Sequence, residues 1–196
     1  FINDGAKENL IYHELPALDL SRVVELVTAA RLKYLAFFKK DLADEAIMLV
    51  DEAQYDKYLA KFGHFAEIIK MDVAAFFAKA DEFKPCLLTM DVVDEDRSAF
   101  EQFCGENALN MQKNDGTYSI LKSGINKGSA VLDLADYYGL ALNNVIVAGN
   151  DYNDLPMLNL NCGKKYFVGS MLQDNQLPNG VTRVPNPHEL GMDLLK

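Results

Sequence analysis

Four amide and carboxylate side chains crowd into the six residues Gly149-Asn150-Asp151-Tyr152-Asn153-Asp154. Asn150, Asp151 and Asp154 offer hard oxygen donors, and Asn153 adds a further amide. Such donors suit Mg²⁺, which takes one or two carboxylates and keeps waters and a ligand phosphate for its other positions. The plainer alternative is that Asp151 or Asn153 only caps the helix that follows. A second group stands upstream, in Gly124-Ile125-Asn126-Lys127-Gly128-Ser129-Ala130. There a lysine opens a helix, where the helix dipole disfavours a positive charge. A cation at a disfavoured place can meet a phosphate or an acidic group; otherwise Lys127 is a solvated surface lysine.

The elements around these residues form a regular pattern. Asn144 to Ala148 is a short, almost wholly apolar strand, as expected in a buried parallel sheet. The oxygen-rich loop follows its carboxyl end, where open α/β sheets bind ligands. Before that strand, Lys127, Ala130, Val131, Leu134, Ala135 and Tyr138 line one helical face, and Gly139 ends the helix. After the loop come a helix with Leu155, Met157 and Leu158, a strand at Tyr166–Val168, and a last helix opened by Pro187-His188-Glu189. This alternation is half of a doubly wound sheet.

Residues 10–122 have another texture, rich in aromatic and charged side chains. Asp19 caps an expected helix with Leu20, Val23, Val24 and Val27 on one face. Tyr34–Phe38 and Ile47–Val50 read as strands. Asp51 with Gln54 resembles a capping box for a helix to about Phe62. Lys84–Val93 reads as a strand and Glu95–Cys104 as a helix. Leu109–Gln112 and Tyr118–Lys122 flank Asn114-Asp115-Gly116, a hairpin signal. The expected fold is therefore α/β: a partial doubly wound, Rossmann-like core of residues 1–9 and 123–196, with an α+β domain of residues 10–122 inserted in it.

The chain has 196 residues, with 29 acidic and 19 basic side chains and a formal charge of -10. No block of Lys and Arg suggests a nucleic-acid surface. No apolar run approaches the roughly 20 residues of a membrane span, and no signal peptide is visible, so cytoplasm is the default reading. Cys86, Cys104 and Cys162 give neither a disulfide framework nor a zinc pattern. His13, His64 and His188 lack ligand spacing. The opening Phe1-Ile2 reads as a strand end running into the turn Asn3-Asp4-Gly5-Ala6, so the chain is expected to start inside a domain.

Together, Asn126-Lys127-Gly128-Ser129-Ala130 and Gly149-Asn150-Asp151-Tyr152-Asn153-Asp154-Leu155-Pro156-Met157-Leu158 resemble the last two motifs of the haloacid dehalogenase superfamily. The resemblance is to its Cof-type (subclass IIB) sugar-phosphate phosphatases, whose usual patterns are (S/N)KG-x-AL and GD-x-x-ND-x-x-ML. Ile2 to Ala6 resembles the family's segment before its inserted cap, and Val181 to Gly191 its C-terminal stretch. The resemblance implies that residues 10–122 are the cap. It also implies Mg²⁺-dependent hydrolysis of a small phosphorylated metabolite through an aspartyl phosphate. On that basis Lys127 is catalytic, Asp4 and Asn153 bind substrate, and Asn150, Asp151 and Asp154 lie at the metal.

Two departures stand out. Asn150 occupies the place of the usual first acidic residue. The nucleophile motif D-x-D belongs upstream of Phe1. Asp94-Glu95-Asp96 matches it literally, but it lacks the following Gly-Thr and reads as acid at a helix start. The alternative is an inactive relative that binds a phosphorylated ligand or a partner. A core without its nucleophile strand is expected to leave an edge beside Asn144–Ala148, open to self-association or to pairing with an N-terminal segment.

Overall fold

The computed structural model describes residues 13–16, 25–26, 32–38, 46–50, 55–63, 75, 86–92, 94–114 and 117–195. Its contacts divide the chain into two compact units, Tyr12–Ser123 and Gly124–Lys196 with Phe1–Ile11. The expected Asp19-capped helix lies outside the described residues, except for Glu25 and Leu26, which are helical. Asp4, the Asp51–Gln54 cap and the turn residues Asp115 and Gly116 also lie outside them.

The unit Tyr12–Ser123 holds an antiparallel five-stranded sheet. Its strands are β1 (Leu32–Phe38), β2 (Ala46–Val50), β3 (Leu87–Val92), β4 (Leu109–Asn114) and β5 (Thr117–Lys122), in the order β2-β1-β3-β5-β4. The period-two alternation of a half-covered sheet is plain in β3, where Leu88, Met90 and Val92 are buried and their neighbours are not. Leu88 lies opposite Ile120 and Met90 opposite Tyr118, so the apolar face runs across the sheet. Helix α1 spans Tyr55–Phe62. Helix α2 (Arg97–Glu106) packs against β4 and buries Phe100, Phe103 and Cys104. The acidic Asp94–Asp96 forms a 3₁₀ turn leading into α2, which suits carboxylates at a helix start. Asn114 pairs with Thr117, so β4 and β5 form the expected hairpin with strands longer than the sequence suggested.

The other unit carries a parallel sheet of β6 (Ile146–Gly149), β7 (Lys164–Val168) and β8 (Val181–Val184), in that order. Its helices are α3 (Lys127–Tyr137), α4 (Leu155–Leu158) and α5 (Pro187–Leu194). Val147 on β6 and Phe167 on β7 form a buried cluster with Met157, Leu158 and Leu172. From the opposite face of β7, the Tyr166 hydroxyl donates to Asp193 of α5 at 2.6 Å.

Two expectations need correction. Strand β6 is not buried on both faces: Val147 is enclosed, but Ile146 is 50% exposed. The physical reason is position, because β6 is an edge strand among the described residues and only its Val147 face is packed. The contact stripe of α3 is also narrower than its apolar pattern. Gly128 and Ala135 are buried and Val131 packs on the cluster, while Leu134 and Tyr138 stay exposed. The contact runs through the small residue: a Cβ at Gly128 would lie 2.7 Å from the Pro156 carbonyl oxygen, so α3 meets the start of α4 almost backbone to backbone.

Candidate active site

The site is assembled at the carboxyl end of β6. Gly149 ends that strand with ordinary dihedrals; its φ is not among the positive values found at Gly124, Gly139, Gly169 and Gly180. Glycine is required by space instead, since a Cβ there would sit 2.4 Å from the Asp154 Cβ. Its actual role, leaving room for a folded-back carboxylate, has no local sequence signal.

Asp154 is 2% exposed and occupies that space. Its Oδ2 accepts from the backbone N–H of Asn150 at 2.7 Å and of Asp151 at 3.0 Å. Its Oδ1 forms an ion pair with Lys127 Nζ. Asp151 turns its own Oδ1 to the Tyr152 N–H at 2.6 Å and caps the 3₁₀ turn Tyr152–Asp154. The capping alternative therefore holds for Asp151. Asp154 is a strut: its two oxygens accept from three donors.

Lys127 is placed from the other side. Asn126 caps α3, its side chain accepting from Gly128 N at 2.8 Å and Ser129 N at 3.0 Å. The Ser129 hydroxyl closes the reciprocal bond to the Asn126 N–H. The capped first turn and the close Gly128–Pro156 approach aim the lysine at the loop. Its Nζ donates to Asn153 Oδ1 at 3.1 Å as well as to Asp154. An ammonium has three donors, and the side chain is 47% exposed. One N–H thus remains for a ligand. Asn126 and Ser129 are the positioning residues that the sequence reading quoted without a role; the Asn-x-x-Ser spacing was the available signal.

The structure brings Lys127, Asn153 and Asp154 together, sets Asp151 beneath them as a cap, and leaves Asn150 exposed at the strand end. Asp4 lies outside the described residues. Among the described residues no group of three or more His, Cys, Asp and Glu could hold a metal ion. Asp154 is enclosed and accepts from three donors, Asp151 caps the turn, and the exposed Asn150 is a neutral amide. The loop alone does not fit Mg²⁺, which wants accessible carboxylates.

The sequence profile of the haloacid dehalogenase-like hydrolases matches residues 1–170. The chain belongs to that family. Solved structures of haloacid dehalogenase-like hydrolases share its fold. A phosphatase of the superfamily from Bacteroides thetaiotaomicron is 17% identical, with a TM-score of 0.66 over 93% of this chain and 65% of that one. A subclass IIB sugar phosphatase is 13% identical, with a TM-score of 0.67 over 87% of this chain and 62% of that one. A haloacid dehalogenase-like hydrolase from B. subtilis is 14% identical, with a TM-score of 0.66 over 91% and 70%. The chain thus spans about two thirds of the length of these haloacid dehalogenase-like structures. No match is found among curated proteins. Among the described residues no helix is long and apolar enough to cross a membrane.

Proposed function

We propose that the whole protein is a phosphatase of small phosphorylated metabolites, sugar phosphates among them, and that this chain supplies its cap and the second half of its core. The supporting observation is the Lys127–Asn153–Asp154 constellation at the carboxyl end of a parallel strand. In this reading an aspartate encoded upstream of Phe1 attacks phosphorus and the ester P–O bond breaks. A second upstream carboxyl gives its proton to the leaving oxygen, and water then cleaves the aspartyl phosphate. Lys127, fixed by two acceptors, directs its third N–H at the phosphoryl oxygens and offsets their charge. Asn153 holds the ammonium in place. Residues 10–122 act as the cap that encloses substrate. Mg²⁺ enters as a family expectation, held mainly by upstream carboxylates.

A second reading, a non-hydrolytic binder of phosphorylated ligands, is favoured by one feature: Asn150 offers a neutral amide where a carboxylate would hold a metal. The test is phosphate release from a panel of sugar phosphates against Mg²⁺ concentration, with the protein extended through its upstream coding sequence. The phosphatase reading expects release, and a drop on the order of a hundredfold or more for Lys127→Ala, typical of losing a preorganised charge. A protein inert on every ester that still binds them by calorimetry leaves only the second reading.

A further inference from the structure

Asn179-Gly180 is the single Asn-Gly pair in the chain. It forms the turn that leads into β8, where the Val181 N–H reaches back to the Pro178 carbonyl through a long bond of 3.4 Å. Gly180 takes a φ of 78°, the left-handed value that the third place of such a turn favours. Both residues are exposed. A Cβ at Gly180 would meet nothing nearer than the Lys165 Cε at 3.8 Å, so little crowds the turn. Among the described residues the Gly180 N–H has no hydrogen-bond acceptor. The other end of the same peptide group is held. Lys165 Nζ donates to the Asn179 carbonyl oxygen at 2.9 Å. Lys165 lies opposite Val181 in the parallel pairing of β7 with β8, so the register of the sheet delivers the ammonium to the turn.

These features meet the needs of one reaction. Asparagine is thermolabile because the next residue's nitrogen, once stripped of its proton, can attack the side-chain carbonyl. Glycine in that next place has no side chain to obstruct the attack. An N–H without an acceptor gives up its proton without first breaking a hydrogen bond. As the Gly180 nitrogen loses that proton, negative charge spreads to the Asn179 oxygen, where the Lys165 ammonium already donates. A charged donor at that place strengthens as the charge develops. We propose that Asn179 is a site of spontaneous deamidation and that Lys165 promotes it. The Gly180 nitrogen passes its proton to solvent and forms a bond to Asn179 Cγ. The Cγ–Nδ2 bond breaks, and ammonia leaves with a proton from solvent, closing a succinimide. Water then opens the ring. Attack at Cγ gives aspartate. Attack at the main-chain carbonyl gives isoaspartate, whose backbone runs through the former side chain. Either product adds a negative charge to the turn that Lys165 holds, just ahead of β8.

The chain is incubated at mildly alkaline pH beside a peptide of residues 176–184. Both are followed by peptide mapping with mass spectrometry and by enzymatic methylation of isoaspartyl carboxylates. Mapping separates Asn179 from Asp4-Gly5 and Asp115-Gly116, which reach a succinimide by losing water instead of ammonia. The folded chain should convert Asn179 at least as fast as the peptide. Lys165→Met should slow the conversion about threefold to tenfold, the scale of one hydrogen bond to a charged group. Lys165→Arg should keep most of the rate, and circular dichroism checks that both variants fold. Asn179→Gln should abolish the signal at this position. Asn179 persisting in the folded chain while the peptide converts overturns the site. An unchanged rate in Lys165→Met overturns the part given to Lys165.

Discussion

Lys127 and Asp154 differ sharply in burial, and that asymmetry governs what each can be asked to do. The carboxylate is enclosed and has three donors, two of them backbone, so it shapes the loop. The ammonium is half-exposed and can serve a ligand. Gly149 is the residue on which both depend. Gly149→Ala drives a methyl into the Asp154 side chain, with no flexible end to yield. It is expected to cost about 1–3 kcal/mol, the usual range for overpacking a tight site. Urea unfolding measures this loss, and a midpoint unchanged from wild type refutes the account. The requirement at Gly149 was invisible in the sequence because the atom it avoids belongs to a residue five places on, brought back by a turn. Lys127, by contrast, was legible: a cation at a helix start contradicts the helix dipole, and a local contradiction points to a use.

At the scale of the element, helix α3 is an aiming device, and its cap sets the aim. Asn126→Ala leaves the N–H groups of Gly128 and Ser129 without their acceptor. The expected loss is about 1 kcal/mol. Phosphate affinity should fall with it, because the first turn that carries Lys127 loosens. Asn126→Ser should restore most of both, read by urea unfolding and by phosphate titration. If stability falls and affinity does not, the cap holds the helix but not the aim. Elements with strong periodicity were readable from the sequence: β3 by its alternation, the β4–β5 hairpin by its turn residues, α5 by Pro187. Strand β8 was missed as a strand. Its four residues, Val181–Val184, are too few for periodicity to register, and only the β-branched run after Asn179-Gly180 hinted at it. The exposed face of β6 was misjudged for a related reason: an apolar run reveals hydrophobicity but not whether a neighbour covers it.

At the scale of the whole molecule, the two sheets respond to different conditions. In the antiparallel unit, burial lifts the Cys104 thiol from 9.0 to about 11. The folded state therefore keeps its proton while the unfolded chain loses it above pH 9, so stability present below that pH drains away as pH rises toward 11. A shift of this size corresponds to roughly 2–3 kcal/mol. Denaturant titrations between pH 8 and 11 should show that decline, and Cys104→Ala, though less stable throughout, should lose this part of the slope. The parallel sheet is vulnerable by geometry instead. Among the described residues β6 is an edge strand, with Ile146 on its open face. Unpaired apolar edges recruit partners. The chain is expected to self-associate through that edge. Sedimentation showing a stable monomer would count against this, and Ile146→Lys should reduce association.

The two sides of the Lys127–Asp154 pair are separated by 27 positions in sequence, whereas the donors that hold the Asp154 Oδ2 come from three and four positions away. During folding the short-range bonds can close first, because small loops are quick to form. The lysine arrives only after β6 is laid down and α3 has docked. A part-folded molecule therefore presents a finished turn whose Asp154 carboxylate lacks its lysine. The phosphate affinity proposed for this site is, on that order, a late event of assembly.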